Sequence, residues 1–407
     1  MNRTESYILE ESRVCAPNYH PLPVVIERAK GVWMWDVEGK KYLDMMSAYS
    51  AVSHGHAHDK ILKALNEQAA KLAMTSRAFH TDQLGSFLTK LTRLSGFEMG
   101  LPMNTGAEAV ETALKAARRW GYRTKGISAD QAEILVCNGN FHGRTTTIIS
   151  FSSEPAYKAD FGPLTSGFVE IPFGDADALK AAITPNTCAF LVEPIQGEAG
   201  IIISPEGYLK AIHEICTQHN VLLILDEIQS GLGRTGKMFA FEHEGIRPDG
   251  LILGKALGGG LLPVSVFLSS QEVLNHMGPG SHGSTFGGNP LACHVASCAL
   301  DLLEEEGLIE NSRILGEYFI SELRKLNSPL IQDIRGRGLW IGLELKPELA
   351  SARHMCEVLK DKGVLSKETH ETTIRLAPPL VITKDEIDFA LGAIRASLVA
   401  VEQSGAR

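Results

Sequence analysis

The chain has 407 residues, 44% of them apolar, with a formal charge of −9 and an isoelectric point near 5.9. That length allows a large core and two lobes, while the acidic balance excludes the basic excess a nucleic-acid partner requires. The start, MNRTESYILEESRV, has no apolar leader core, and no uncharged run approaches the roughly 18 residues of a membrane span. A cytoplasmic protein without membrane contact is therefore expected. Seven cysteines without a C-x-x-C pair argue against a disulfide framework or zinc knuckle and read as reduced, mostly core residues.

In chain order, SHGHAHD puts His54, His56 and His58 at alternating positions. A metal set is one reading; a loop entering the ILKALNEQ helix is favoured, on the expectation that no acidic or cysteine partner group lies nearby. MNTGAEAVETALKAARRW then opens with a capping box, Thr105-x-x-Glu108, before a helical periodicity. AEILVCNG, CAFLVEPI, VLLILDEI and GLILG are short apolar runs bounded by turn residues and read as buried strands. Helical patterns such as GYLKAIHEICTQHN lie between them, so a parallel α/β sheet covered on both faces is expected. GLGRTGK, Gly231 to Lys237, has P-loop spacing, but Met238 stands where a hydroxyl would hold Mg²⁺ and no helix pattern follows. Past about residue 297 the rhythm changes: one helical stretch to about Leu326, strand-like IQDIRGRGLWIGLELK, a helix, TTIRLAPPLVI and a last helix suggest a smaller α+β lobe.

Ligands of such sheets bind at the carboxyl ends of the strands. VLLIL ends at Asp226-Glu227 and GLILG at Lys255, followed by Gly258, Gly259 and Gly260. Each residue alone reads as a solvated strand end. Together they have the chemistry pyridoxal phosphate demands: a desolvated amine for a Schiff base and a carboxylate for the pyridine nitrogen. Gly106 at the capped helix start could approach a phosphate. In GNFHGRT, Phe141 could stack on a flat cofactor or simply be core, and Arg144 could hold a carboxylate by two hydrogen bonds.

With NTGAEA, GNFHGRT, VEPIQGEAG, LDEIQSGLGRTG, LGKALGGG, HGSTFGGNP and IRLAPPL in this order, the sequence resembles the class III (subgroup II) pyridoxal-phosphate aminotransferases of fold type I. The likeness runs from about Asn18 to the last helix and is strongest to the family's bacterial ornithine-using branch. It implies an α/β large domain with a mostly parallel seven-stranded sheet over residues 50–297, a smaller α+β domain over 298–407, and an N-terminal segment, 1–49, packing on the latter. It implies catalytic Lys255 and Asp226, with the glycines after Lys255 turning the chain beside the cofactor. Gly106, Ala107, Phe141, His142, Gln229, Ser284 and Thr285 would also contact the cofactor, the last two from the other subunit of a homodimer. Tyr19, Tyr49 and Arg144 would receive ornithine. Arg375, covered by Glu198 while ornithine is bound, would receive glutamate or 2-oxoglutarate. The implied reaction passes ornithine's δ-amine to 2-oxoglutarate, leaving glutamate 5-semialdehyde, which cyclises to pyrroline-5-carboxylate. Acetylornithine or 4-aminobutyrate transamination, or a same-fold aminomutase, are the alternatives. FHGR, with His142, is shared with acetylornithine aminotransferases, whereas Tyr49 and APPL favour ornithine. Ser53 and His54 depart from the ornithine pattern just after SAYSAV.

Overall fold

In the computed structural model, which describes residues 2–404, seven strands form the central sheet. They are β1 (Met99–Met103), β2 (Glu133–Cys137), β3 (Phe168–Ile171), β4 (Thr187–Val192), β5 (Leu222–Asp226), β6 (Gly250–Leu253) and β7 (Ser265–Ser269). Their order is β1-β7-β6-β5-β4-β2-β3. Only β7 runs against its neighbours; the other pairings are parallel. Every residue of β4, β5 and β6 is buried, which is why these strands read as continuous apolar runs rather than alternating ones.

Five helices matter for the site: α1 (Asp59–Lys71), α2 (Gly106–Trp120), α3 (Tyr208–Gln218), α4 (Pro290–Glu305) and α5 (Leu308–Leu323). The capping box starts α2: Thr105 accepts from Glu108 N–H, and the Glu108 carboxylate accepts from Thr105 N–H at 2.7 Å. The inner face of α2 is alanine-rich, with Ala109, Ala113, Ala116 and Ala117 fully buried against Ile134, Leu191, Ile224 and Ile252. Small residues there let the helix lie close to the sheet.

The stretch expected to be one helix up to Leu326 is two, because Gly307 at φ 63° breaks it between α4 and α5. The strand-like segment after it is a hairpin, β8 (Ile331–Gly336) and β9 (Ile341–Leu345), which with β10 (Lys367–Thr369) and β11 (Thr373–Leu376) forms an antiparallel sheet, β8-β9-β11-β10. Strands Ile26–Lys30, Trp33–Asp36 and Lys41–Asp44 build a separate sheet that Val364–Leu365 completes in parallel with the last. A first helix, Arg3–Val14, capped by Asn2, was not expected from the sequence.

Ser47, Ala48, Tyr49 and Ser50 form a left-handed turn, at φ 43°, 47°, 58° and 73°. Asp44 Oδ1 accepts from Met46 and Ser47 N–H at 2.8 Å. Ser47 Oγ donates to Ala377 O at 2.7 Å, and Arg234 Nη2 donates to the hydroxyls of Ser47 and Ser53 at 3.1 and 3.0 Å. Leu380 N–H bonds Ser53 O as well. SAYSAV and IRLAPPL are therefore joined in space.

The three histidines point apart. His54 Nε2 donates to Ala299 O at 2.9 Å, His56 reaches Asp44 at 2.7 Å and His58 reaches Glu306 at 3.0 Å. Acidic partners do exist, contrary to the sequence expectation, because folding brings them from elsewhere in the chain. Among the described residues no cluster of three metal-ligating side chains forms, and no helix is long and apolar enough to cross a membrane. All seven cysteines are free: five are buried, Cys298 is half-buried and Cys15 is exposed. Within GLGRTGK, Arg234 is fully buried; the loop is a packed turn with a short 3-10 helix after it.

Candidate active site

Asp226 is the last residue of β5 and pairs in register with Ile252 of β6, two residues before that strand gives way to Gly254 and Lys255. The two side chains thus leave the sheet at neighbouring carboxyl ends, as the βα architecture predicts. They meet at a cavity of about 190 Å³. Gly106 and Ala107 of the α2 start, Phe141 and His142 after β2, Glu193 after β4, and Gln229 after β5 complete its wall.

His142 is fully buried and its Nδ1 donates to Asp226 Oδ2 at 2.7 Å. Burial works to lower its pKa, yet the hydrogen bond and the charges of Asp226 and Glu193 outweigh it, and the imidazole's pKa is raised. Asp226 Oδ1 accepts from Ile228 N–H at 3.0 Å. Glu193 accepts from Phe141 N–H at 2.8 Å and Gly197 N–H at 3.2 Å, and burial pushes its carboxyl up to about 7. Burial also brings the Lys255 amine down to about 8, against the opposing pull of Glu198 and Asp226.

Beyond Phe141 a second cavity of about 260 Å³ contains Glu198 and Arg375 in its wall. Their contact is bidentate, Nη1 to Oε1 at 2.7 Å and Nη2 to Oε2 at 2.6 Å, the planar match that only arginine makes. Gln229 Nε2 donates to the same carboxylate at 3.1 Å, and Thr369 Oγ1 donates to the Glu198 carbonyl. Burial would raise the Glu198 carboxyl, but Arg375, Lys255 and Gln229 together hold it below its ordinary value. The Tyr49 ring, presented by the left-handed turn, lies 5.1 Å from the Arg375 guanidinium, and burial raises its phenol pKa.

Not every expected residue lines these cavities. Tyr19 is 71% exposed. Arg144 is exposed and sits over the Tyr157 ring at 4.3 Å and the Phe141 ring at 5.8 Å. Ser284 accepts from Asn104 Nδ2 at 2.8 Å, beside the α2 start, and Thr285 and Phe286 face outward. After Lys255 the chain turns at Gly259 and Gly260, which have positive φ and pack on Ile61 and Val52, where a Cβ on Gly259 would meet Ile61 at 2.9 Å. A Cβ on Gly106 would likewise meet Ile228, at 2.9 Å.

Sequence reasoning missed Glu193 and Tyr157. The signal for Glu193 was present, since it follows a strand as Asp226 does. A larger cleft of about 720 Å³, with Asp249, Glu272 and His213 in its wall, opens at the amino ends of β5 and β6. It is the wrong end of the sheet for ligands of this architecture.

The donor set fits pyridoxal phosphate on its own evidence. His142 Nε2 and Ser230 Oγ are buried without a hydrogen-bond partner, both in residues of the cavity wall, so the cavity needs a polar occupant. The first N–H groups of α2, at Gly106 and Ala107, have no intrahelical acceptor and favour an anion. A partly deprotonated amine and a carboxylate face one another across the space between.

The class-III aminotransferase family model matches residues 14–398. The ornithine aminotransferase of Brevibacillus brevis is 58% identical over 402 residues, 99% of this chain and 100% of that protein. An ornithine aminotransferase from Toxoplasma gondii, whose structure is described as having PLP in partial occupancy at its active site, superposes with a TM-score of 0.98 at 43% identity, covering 99% of this chain and 95% of that one. The acetylornithine aminotransferase of Elizabethkingia anophelis superposes with a TM-score of 0.89 at 47% identity, covering 98% and 100%.

Proposed function

Because the chain belongs to the class-III aminotransferases, we propose that it is a pyridoxal-phosphate-dependent transaminase that moves the δ-amino group of ornithine to 2-oxoglutarate. The observation that carries this reading is the bidentate Glu198–Arg375 pair in the cavity next to Lys255. An enzyme for two dissimilar amino donors must hide its α-carboxylate arginine from one of them, and a carboxylate that can swing away does so.

When bound, the cofactor supplies the electron sink and carries the amino group between half-reactions. Lys255 and Asp226 are the catalytic pair. Asp226, oriented by His142 Nδ1–H and Ile228 N–H, would hold the pyridine nitrogen. Gly106 and Ala107 N–H groups would bind the phosphate, Phe141 and His142 would border the ring, and Gln229 would contact its 3-oxygen, all of them from the wall of one cavity. Lys255 Nζ, which burial brings down to about 8, would be the group that holds and moves the proton at the amine-bearing carbon of the substrate. Arg144, whose guanidinium carries no carboxylate partner among the described residues, receives ornithine's α-carboxylate with help from Tyr19 and Tyr49. Once Glu198 releases it, Arg375 receives the α-carboxylate of 2-oxoglutarate or glutamate.

Ser284 and Thr285 serve the neighbouring subunit's phosphate in a homodimer; the outward-facing Thr285 and Phe286 beside the α2 start support this. The chain divides into an N-terminal segment, 1–49, a large domain, 50–297, and a small one, 298–407; residues 1 and 405–407 of these lie outside the described residues. The enzyme works in the cytoplasm. The test is purified protein with ornithine and 2-oxoglutarate, scored for pyrroline-5-carboxylate, with N-acetylornithine and 4-aminobutyrate in parallel. Product from ornithine, none from Lys255→Ala, and much slower use of the other donors are expected. Preferential use of N-acetylornithine would replace this reading, as would amine migration without 2-oxoglutarate.

A further inference from the structure

Four cations stand on one face of α2 and the turn after it. Lys115, Arg118, Arg119 and Arg123 line a pocket of about 390 Å³ with Tyr122, Met277 and Ser281 and with no acidic residue. None of the four is ion-paired among the described residues. Their spacing puts like charges within one turn of each other, which costs roughly 0.2–0.5 kcal/mol per pair in a helix. The negative end of the helix dipole offsets part of that cost. The cluster is unexpected in a chain with 48 acidic and 39 basic residues.

Three of the four cations are held in place rather than waving in solvent. Arg118 donates from Nη2 to Ser166 O at 2.8 Å, lies 4.9 Å from the centre of the Phe168 ring, and keeps Nε buried without a partner. Arg119 donates to His276 O at 2.9 Å. Lys115 donates to Ser281 O at 3.2 Å and to His282 Nδ1 at 2.9 Å. Each keeps further N–H groups for an anion. Tyr122 and Met277 belong to the apolar cluster beneath the sheet and give the pocket a non-polar side.

We infer that this pocket binds a small molecule carrying a di- or triphosphate group, with the phosphate oxygens on the four cations and the remainder against Tyr122 and Met277. Preformed, carbonyl-anchored guanidiniums match phosphate geometry. The net charge of −9 opposes a long phosphate polymer at the same face. Arg118 lies twelve residues along α2 from Gly106, about 18 Å at the helical rise, so the pocket is separate from the cofactor cavity and the inference does not rest on the transaminase reading.

Calorimetric titration of the holoenzyme with pyrophosphate and with ADP tests it, with the cofactor absorbance followed in parallel. Saturable binding of both is expected at physiological salt, tighter for ADP, with cofactor retained. Lys115→Gln/Arg123→Gln, two exposed side chains, should weaken both about tenfold or more, since a charge-assisted hydrogen bond contributes on that order. Should the double variant fold poorly, Arg123→Gln alone should still weaken binding several-fold. Absence of saturable binding, binding indifferent to the substitutions, or binding that displaces the cofactor overturns the proposal. A change of molecular mass in the variants without any phosphate binding would instead assign the patch to contact between copies of the chain.

Discussion

Two buried arginines, about equally hidden, divide the labour of this molecule. Arg234 is 0% exposed and has only neutral partners: the carbonyls of Leu339 and Pro378 at 2.9 and 2.6 Å and the hydroxyls of Ser47 and Ser53. Burial brings its guanidinium down to about 9. Arg375 is 6% exposed and is matched by one carboxylate, on a side chain that borders a cavity. Fixed carbonyls from distant segments cannot leave without unfolding something, whereas a single carboxylate can rotate away. The first arginine is a staple and the second a switch, and the distinction lies in the partners rather than in depth.

Removing the staple should have the largest effect. Arg234→Ala takes the donor from two buried carbonyls, removes one bond from two hydroxyls that keep Ala377 O and Ser50 O, and leaves a void, a loss of roughly 3–5 kcal/mol, so Tm should fall by several degrees or more. A melting curve within a degree of wild type would erase the contrast. Arg375→Lys should melt close to wild type, yet slow the 2-oxoglutarate half-reaction about a hundredfold while sparing ornithine, because an ammonium cannot make the two parallel bonds. Single-turnover rates separate the halves; equal impairment of both would make Arg375 structural too.

Glu198→Ala should be milder. With the guanidinium uncovered, the ornithine-to-glutamate rate ratio should drop roughly ten- to thirtyfold, with some transamination appearing at ornithine's α-amine. An unchanged ratio would end the switch. The smallest effect concerns Lys255, which burial holds near 8. Its reactive, unprotonated fraction grows as pH rises through that value, so cofactor capture by the apoenzyme should quicken about threefold from pH 7.5 to 8.5 and then level. A rate still climbing past pH 10 would mean an ordinary lysine.

Sequence legibility followed the same divide. Lys255, Asp226 and the α2 cap were readable because strand ends and capping boxes are local patterns, and Glu198 and Arg375 came from a family resemblance. Arg234 was seen only as part of a P-loop decoy, because its partners are 105 to 187 residues away. Glu193 was passed over since a strand-end carboxylate without a lysine opposite it looks solvated. Tyr157 lies in a four-residue helix, Pro155–Lys158, with no buried residue of its own to mark it. The single helix expected around Gly307 failed for the opposite reason: the periodicity on both sides was strong enough to mask one left-handed glycine.

The departures at Ser53 and His54 acquire a meaning from the left-handed turn they follow. Left-handed backbone costs roughly 1–2 kcal/mol per non-glycine residue, and the local bonds across Ser47–Ser50, Met46 and Ser47 N–H to Asp44 Oδ1 and Tyr49 N–H to Met46 O, are joined by others from far along the chain. The distant contacts come from residues 234 and 377, at sequence separations of 187 and 330, and Ser53 and His54 add anchors to Arg234 and Ala299. Tyr49 is therefore among the earliest site residues made on the ribosome and among the last to be set in place. In refolding followed by pulsed hydrogen exchange, the Tyr49 amide, bonded to Met46 O, should gain protection after those of β5; the chain builds its sheet first and the substrate-facing turn only when both lobes have arrived.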